Sequence, residues 1–272
     1  MAQDMAPMVD DIAYLGLVDE TEIELDKAAL EIAALDHPRA RVSRYLALLE
    51  QIAERLRARG GTSRTPAAQA EALAEVLGAD FGFEGDRDTY DDPANADLIR
   101  VLDRRRGLPV ALAILYVALA RRLGWTAHAL NTPGHVLVGV GQPRALLIDP
   151  FNRGALVGRE QFATLFLAAG GRPAQASESV APLSNRGVLT RLMMNQVTRA
   201  ERTRRLPRAL AVLERVTTVA PDYSLGWWER ARVEQALGDP AAARLSLSSM
   251  LETTRDPDLR SHVMNALDAL SG

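Results

Sequence analysis

The chain of 272 residues contains no cysteine. That absence excludes disulfides, thiolate metal ligands and a cysteine nucleophile. It also fits a reducing compartment, so a cytoplasmic location is expected. An excess of charge is missing as well: the formal net charge is -3, which gives no electrostatic ground for nucleic acid or an anionic membrane as a partner. No apolar run reaches the ~20 residues of a spanning helix. The longest, residues 108–120, is followed by Arg121 and Arg122 and reads as a core helix. The first ten residues are acidic and carry no apolar stretch, which argues against a signal peptide. His37, His128 and His262 are scattered without metal-ligand spacing, and there is neither a phosphate loop nor a dinucleotide fingerprint. No metal and no cofactor are expected.

Apolar residues make up 47% of a chain long enough for a sizeable core. Its first hundred residues read as helical. Segments 25–35, 42–59 and 66–77 carry apolar residues at helical spacing, and Gly78 is a candidate C-cap for the third. Residues 81–93 (FGFEGDRDTYDDP) read as an aromatic, acidic loop of the kind that carries binding function. Asp92 or Asn95 is expected to cap a helix ending near Arg105. Residues 109–123 are apolar on nearly every face and predict a helix buried all round, closed by Gly124. Strands are expected over 125–130, 135–140 and 144–148, separated by turn residues. A central helix on a small antiparallel sheet is an α+β pattern.

Residues 171–184, rich in Gly, Pro, Ser and Ala, read as a linker. Two domains follow from it, 1–184 and 185–272. The second is helical and repetitive: Ala209 and Ala243, and Leu213 and Leu247, stand one period of roughly 34 residues apart. With Trp227, Ala231, Gly238 and Pro221, this resembles tetratricopeptide repeats over 190–256, with 257–270 as a capping helix. In the first unit Met193 and Val197 replace the aromatic and small positions.

The chemistry-bearing residues lie in the centre. Gly107, Leu108 and Pro109 open the buried helix, His135 follows Pro133 and Gly134, and Asp149 precedes Pro150. A hairpin turning about Gln142 sets His135 opposite Asp149 and Leu137 opposite Leu147, so an imidazole–carboxylate contact is expected. This order of helix start, His and Asp resembles the core of the transglutaminase-like (papain-like) superfamily. There a cysteine at the helix start is the nucleophile, His relays protons and Asp orients it. In this chain Pro109 stands at the position of that cysteine. Proline brings no nucleophile and no backbone N–H, yet it suits the first turn of a helix. Thr132 and Tyr116 are the nearest hydroxyls. Nothing orients Thr132 toward a helix dipole, and Tyr116 is expected to pack in the core with its hydroxyl bonded.

The run from Asp97 to Pro109 (DLIRVLDRRRGLP) is similar to a signature of the bacterial SirB-like family of that superfamily. Phe83, Glu84, Gly85, Tyr90, Asp92, Pro93 and the stretch from Asp149 to Gly154 extend the resemblance. The chain departs from the family at Asn131, Thr132 and Val136. That family commonly carries Pro at this position and has no settled activity. Pro109 at the nucleophile position, together with a helical-repeat tail of a type that makes binding surfaces, leads to the expectation of a non-catalytic protein that binds a protein partner in the bacterial cytosol, as an adaptor or regulator. The alternatives are a residual hydrolase or acyl-transfer enzyme using His135 and Asp149, and a binder of small molecules or peptides in the old cleft. Candidate binding residues are Tyr90, Arg105, Asn131, Gly134, His135 and Asn152. Arg104, Arg105 and Arg106 are expected to form a solvated helix end paired to Asp97 or Asp103.

Overall fold

The computed structural model describes residues 9–132, 134–168 and 181–270. Residues 171–180 of the expected linker, Pro133 and residues 1–8 lie outside this description. Glu20–Leu189 form one compact unit, and the described residues before and after it form another.

The first unit is built around the helix Pro109–Arg122, in which residues 109–120 are all buried. Proline at the first position costs no intrahelical bond, because that N–H has no partner in any helix. Gly124, with φ +72°, ends the helix in the left-handed conformation. We number this helix α5. The helices α1 (Leu25–Ala34), α2 (Val42–Gly60), α3 (Pro66–Leu73) and α4 (Leu98–Arg104) pack against it. In α2, Tyr45, Leu49, Ile52, Ala53 and Leu56 share the buried stripe that their spacing predicts.

Two helix ends differ from expectation. The regular part of α3 stops at Leu73, and the chain winds on as a π-helical stretch, Ala74–Asp80, straight through Gly78. Gly78 is therefore not a C-cap: a Cβ there would lie 2.5 Å from the Arg153 carbonyl oxygen, so the glycine permits a close backbone approach. The caps before α4 also change hands. Asp92 caps a 3-10 turn, Pro93–Ala96, and Asp97 caps α4 by accepting from the Arg100 N–H. Asn95 is fully buried instead and bonds the preceding loop.

The strands β3 (Ala127–Leu130), β4 (Leu137–Val140), β5 (Leu146–Asp149) and β6 (Ala155–Leu156) form one antiparallel sheet in that order. Three of them coincide with the expected segments, whereas β6 lies outside them. So does a short parallel pair, β1 (Glu84–Gly85) with β2 (Arg106–Gly107). Such brief strands leave no period-two pattern to read. The β4–β5 register pairs Val138 with Ile148, two residues away from the expected pairing.

The second unit is all helical. It contains α8 (Leu206–Val219), α9 (Ser224–Ala236), α10 (Pro240–Thr253) and α11 (Pro257–Ala269), each packed on the next. Ala209 and Leu213 on α8, and Ala243 and Leu247 on α10, are buried as their equivalent spacing implies. The 3-10 helix Val9–Gly16 packs on α8. The division expected at 184/185 stands beside a boundary between the units at 189/190, inside α7 (Asn185–Arg202). Among the described residues no helix is long and apolar enough to cross a membrane. With α6 (Arg159–Ala168), the observed class is α+β with a C-terminal all-helical region.

Two left-handed glycines test the packing. A Cβ added at Gly124 would meet nothing within 4 Å, whereas at Gly154 (φ +77°) it would lie 2.9 Å from Ala74 Cα and from Tyr116 Cε1. Gly124→Ala should cost about 1–2 kcal/mol, the backbone penalty alone. Gly154→Ala should cost roughly 1–3 kcal/mol more, because steric strain adds to it. Urea unfolding of both variants measures the difference, and equal losses would show that the contact at Gly154 relaxes freely.

Candidate functional site

The end of β5 organises the site. Asp149 is the last residue of the strand and caps the 3-10 turn Pro150–Asn152, accepting from the Phe151 N–H at 3.0 Å. Asp-Pro is a natural turn start, so one residue both ends the strand and offers a carboxylate. His135 reaches it, with Nε2 2.8 Å from Asp149 Oδ1. The expected contact is thus present, but not through the expected register. Carried one step past Val138 and Ile148, the observed pairing sets Leu137 opposite Asp149, so His135 meets the carboxylate diagonally. A shift of two residues preserves the face on which each side chain stands, whereas a shift of one would have separated the pair.

The Asp149 side chain has no exposure, and that of His135 has 18%. Burial pushes the Asp149 carboxyl up, but other groups pull it further down. These are the hydrogen bond and charge of His135, the Asn152 amide and the Phe151 N–H, and the net position is below the ordinary carboxylate range. An ionised carboxylate only accepts, so the proton in this bond belongs to His135 Nε2. Thr132 donates its hydroxyl to the His135 carbonyl, and Gly134 turns the chain with φ +63°. The Thr132 hydroxyl is thereby used to hold the histidine backbone. Tyr116 departs from expectation: it is buried, as predicted, but its hydroxyl has no hydrogen-bond partner among the described residues. Burial, with the Asp149 charge adding to it, pushes the phenol well up.

Phe151 stands edge-on to two rings, 5.8 Å from His135 and 6.0 Å from Tyr90. Glycine at position 85 makes room for it, since a Cβ there would lie 2.3 Å from the Phe151 ring. Tyr90, 41% exposed, reaches this stack on a loop that Asp86 pins down. Asp86 accepts from the Thr89 N–H at 2.8 Å, the Thr89 hydroxyl at 2.7 Å and Arg104 Nη2 at 2.8 Å. Its burial would raise the carboxyl, but these bonds and Asn95 lower it to about 2. Arg87, exposed on the same loop, donates to Asn152 Oδ1 and places its guanidinium 5.4 Å over the Phe151 ring.

The structure therefore brings Tyr90, His135, Asp149 and Asn152 together through Phe151. Arg105 takes another place: its guanidinium lies 4.7 Å over Phe83. Asn131 directly follows β3, its N–H directed to the Ala181 carbonyl. Pro109 begins α5. The arginine pairing differs from expectation. Arg104 pairs with Asp86 and Arg106 with Glu84, because Arg105 turns the chain with φ +60° and β2 then runs beside β1. Asp97 and Asp103 are taken by His37 and by Arg44 and Tyr45. Sequence reasoning missed Arg87 and the role of Asp86, and carried Phe151 only within the stretch from Asp149 to Gly154. The Asp86–Thr89 spacing was a readable turn signal, but nothing in the sequence links Arg87 to Asn152. The described residues include no group of His, Asp and Glu that could hold a metal ion.

Chemically, the His–Asp pair offers a fixed imidazole that can bind or accept a proton. No thiol is present in the chain to use it. Residues 43–194 match the family described as Transglutaminase-like superfamily. The chain is 28% identical over 260 residues to a "UPF0162 protein" of Xylella fastidiosa (strain 9a5c), covering 92% of each. It is 28% identical over 245 residues to a UPF0162 protein of Pseudomonas aeruginosa, covering 90% of each. A segment of 68 residues is 35% identical to F-box only protein 21 of Homo sapiens, 25% of this chain and 11% of that one. No solved structure matches.

The Asp86 network carries a pH signature. A carboxyl lowered to about 2 in the folded chain, against about 3.9 unfolded, adds stability that is complete above pH ~4 and lost as pH falls through about 2. Asp86→Asn should flatten that acid limb while lowering stability at neutral pH. Thermal midpoints of both proteins across the acid range measure it, and parallel curves would contradict the assignment.

Proposed function

We propose, for a chain that belongs to the transglutaminase-like superfamily, a non-catalytic role: it binds a protein partner through the surface around His135 and acts as an adaptor or regulator. The observation that carries this reading is the absence of any cysteine, with Pro109 at the start of α5 where the resemblance puts the nucleophile. Proline at that point also removes a backbone donor that could stabilise an oxyanion. Tyr90, Gly134, His135 and Asn152 form the centre of the proposed surface, with Asn131 and Arg105 as outlying members. Phe151 packed against the imidazole weighs against a small-molecule cleft. The paired helices of the second unit resemble tetratricopeptide repeats, a type that presents partner-binding surfaces. The SirB-like resemblance, from the run that includes Arg104, Arg105 and Arg106, supports a bacterial and cytoplasmic setting.

The retained His135–Asp149 bond supports a second reading, a residual hydrolase in which the imidazole activates water. Two measurements separate the readings. Quantitative capture from native cells should enrich a specific partner on the intact chain. Tyr90→Ala with His135→Ala should weaken it by roughly tenfold or more, the scale of a hot-spot loss. A screen of the purified chain against amides and esters should show no turnover that depends on His135. Turnover abolished by His135→Ala would overturn the non-catalytic reading and establish the second.

A further inference from the structure

Arg87 is an exposed cation on a loop that also exposes Asp88, Asp91 and Asp92. Coulomb attraction alone would direct it to one of these carboxylates. Instead, among the described residues its one hydrogen bond goes to a neutral amide, Asn152 Oδ1, and its guanidinium lies over the Phe151 ring. Two features make that seat suit a guanidinium. The Phe151 face attracts a cation, and a planar, weakly hydrated group lies flat on a ring more readily than an ammonium does. Asn152 donates its Nδ2 to Asp149, which leaves its oxygen to face outward as an acceptor. The seat is thus backed by the buried Asp149 charge, one amide away, and bordered by the His135 imidazole against Phe151.

We infer that the Phe151–Asn152 seat is a subsite for an arginine side chain of a partner protein, and that Arg87 occupies it as an internal stand-in until the partner arrives. This inference rests on the binding role proposed above and names the chemistry of the group recognised. The exposed Asp88, Asp91 and Asp92 give the surrounding loop the charge that favours a basic segment. Among the described residues Arg87 is held at the surface by one hydrogen bond, one ring contact and the more distant charge of Glu84, so its displacement costs little and leaves the Asp86 clamp of the loop in place.

The test uses the full chain, N-acetyl-arginine methylamide as the probe and the neutral citrulline analogue as its control. NMR shifts of the Asn152 side-chain amide and the His135 ring report occupancy. Arg87→Ala should bind the arginine probe saturably and roughly tenfold or more tightly than the unaltered chain, where Arg87 competes. The citrulline analogue should not bind. Three results overturn the inference: no saturable shift in Arg87→Ala, equal binding by the two proteins, or equal binding of the two probes. If any of these occurs while partner capture still depends on Tyr90 and His135, the subsite is lost and the binding role stands. If capture shows no such dependence, the binding role fails on its own measurement.

Discussion

The structure of the first unit depends on one helix that has no solvent face. With residues 109–120 of α5 all buried, every side of the helix has to be covered by apolar side chains. Four helices and the sheet supply that cover, and the turn Pro150–Asn152 packs against α5 as well. Burial of this kind is non-directional and proportional to area, so it gathers the elements without choosing how their polar groups meet. That choice falls to the few polar groups that end up inside.

Asp149 is the most demanding of these. A carboxylate with no exposure is costly unless its oxygens are hydrogen-bonded. Three donors come from three different origins: the imidazole of His135, the side chain of Asn152 and the backbone of Phe151. Each also does something else. His135 is tied by Thr132, Phe151 meets Tyr90 edge-on, and Asn152 accepts from Arg87. A buried charge and an exposed loop are thereby joined in one set of contacts. Asp86 does the corresponding work at the base of the loop, and its bonds to Thr89 and Arg104 hold the segment that carries Tyr90 and Arg87.

A His–Asp pair kept in hydrogen-bonding geometry without a thiol has physical value apart from catalysis. It satisfies the buried carboxylate, fixes the imidazole plane and presents a partly exposed polar edge among aromatic rings. These attributes suit the recognition role proposed above, in which rigid aromatic and charged groups count for more than area. The chain belongs to the transglutaminase-like superfamily, and His135 and Asp149 hold the site together.

Much of this was legible in the sequence. The buried helix followed from an apolar run with no polar face, α2 from its stripe, and the three longer strands from strand-like runs bounded by turn residues. The His135–Asp149 contact followed from strand parity, which survives a two-residue error in register because side chains alternate with a period of two. What sequence could not reach were features set by contacts between distant segments. The π-helical stretch and Gly78 answer to the backbone of Arg153, and Gly85 answers to the ring of Phe151. The arginines pair across the short β1–β2 contact rather than along their own helix. Local propensity and periodicity thus determined which elements form and which faces they bury. Only the tertiary structure decided which polar groups beyond His135 and Asp149 pair with each other, because hydrogen bonds are short and directional and partners such as Arg104 and Asp86, or Arg87 and Asn152, lie 18 and 65 residues apart in the chain.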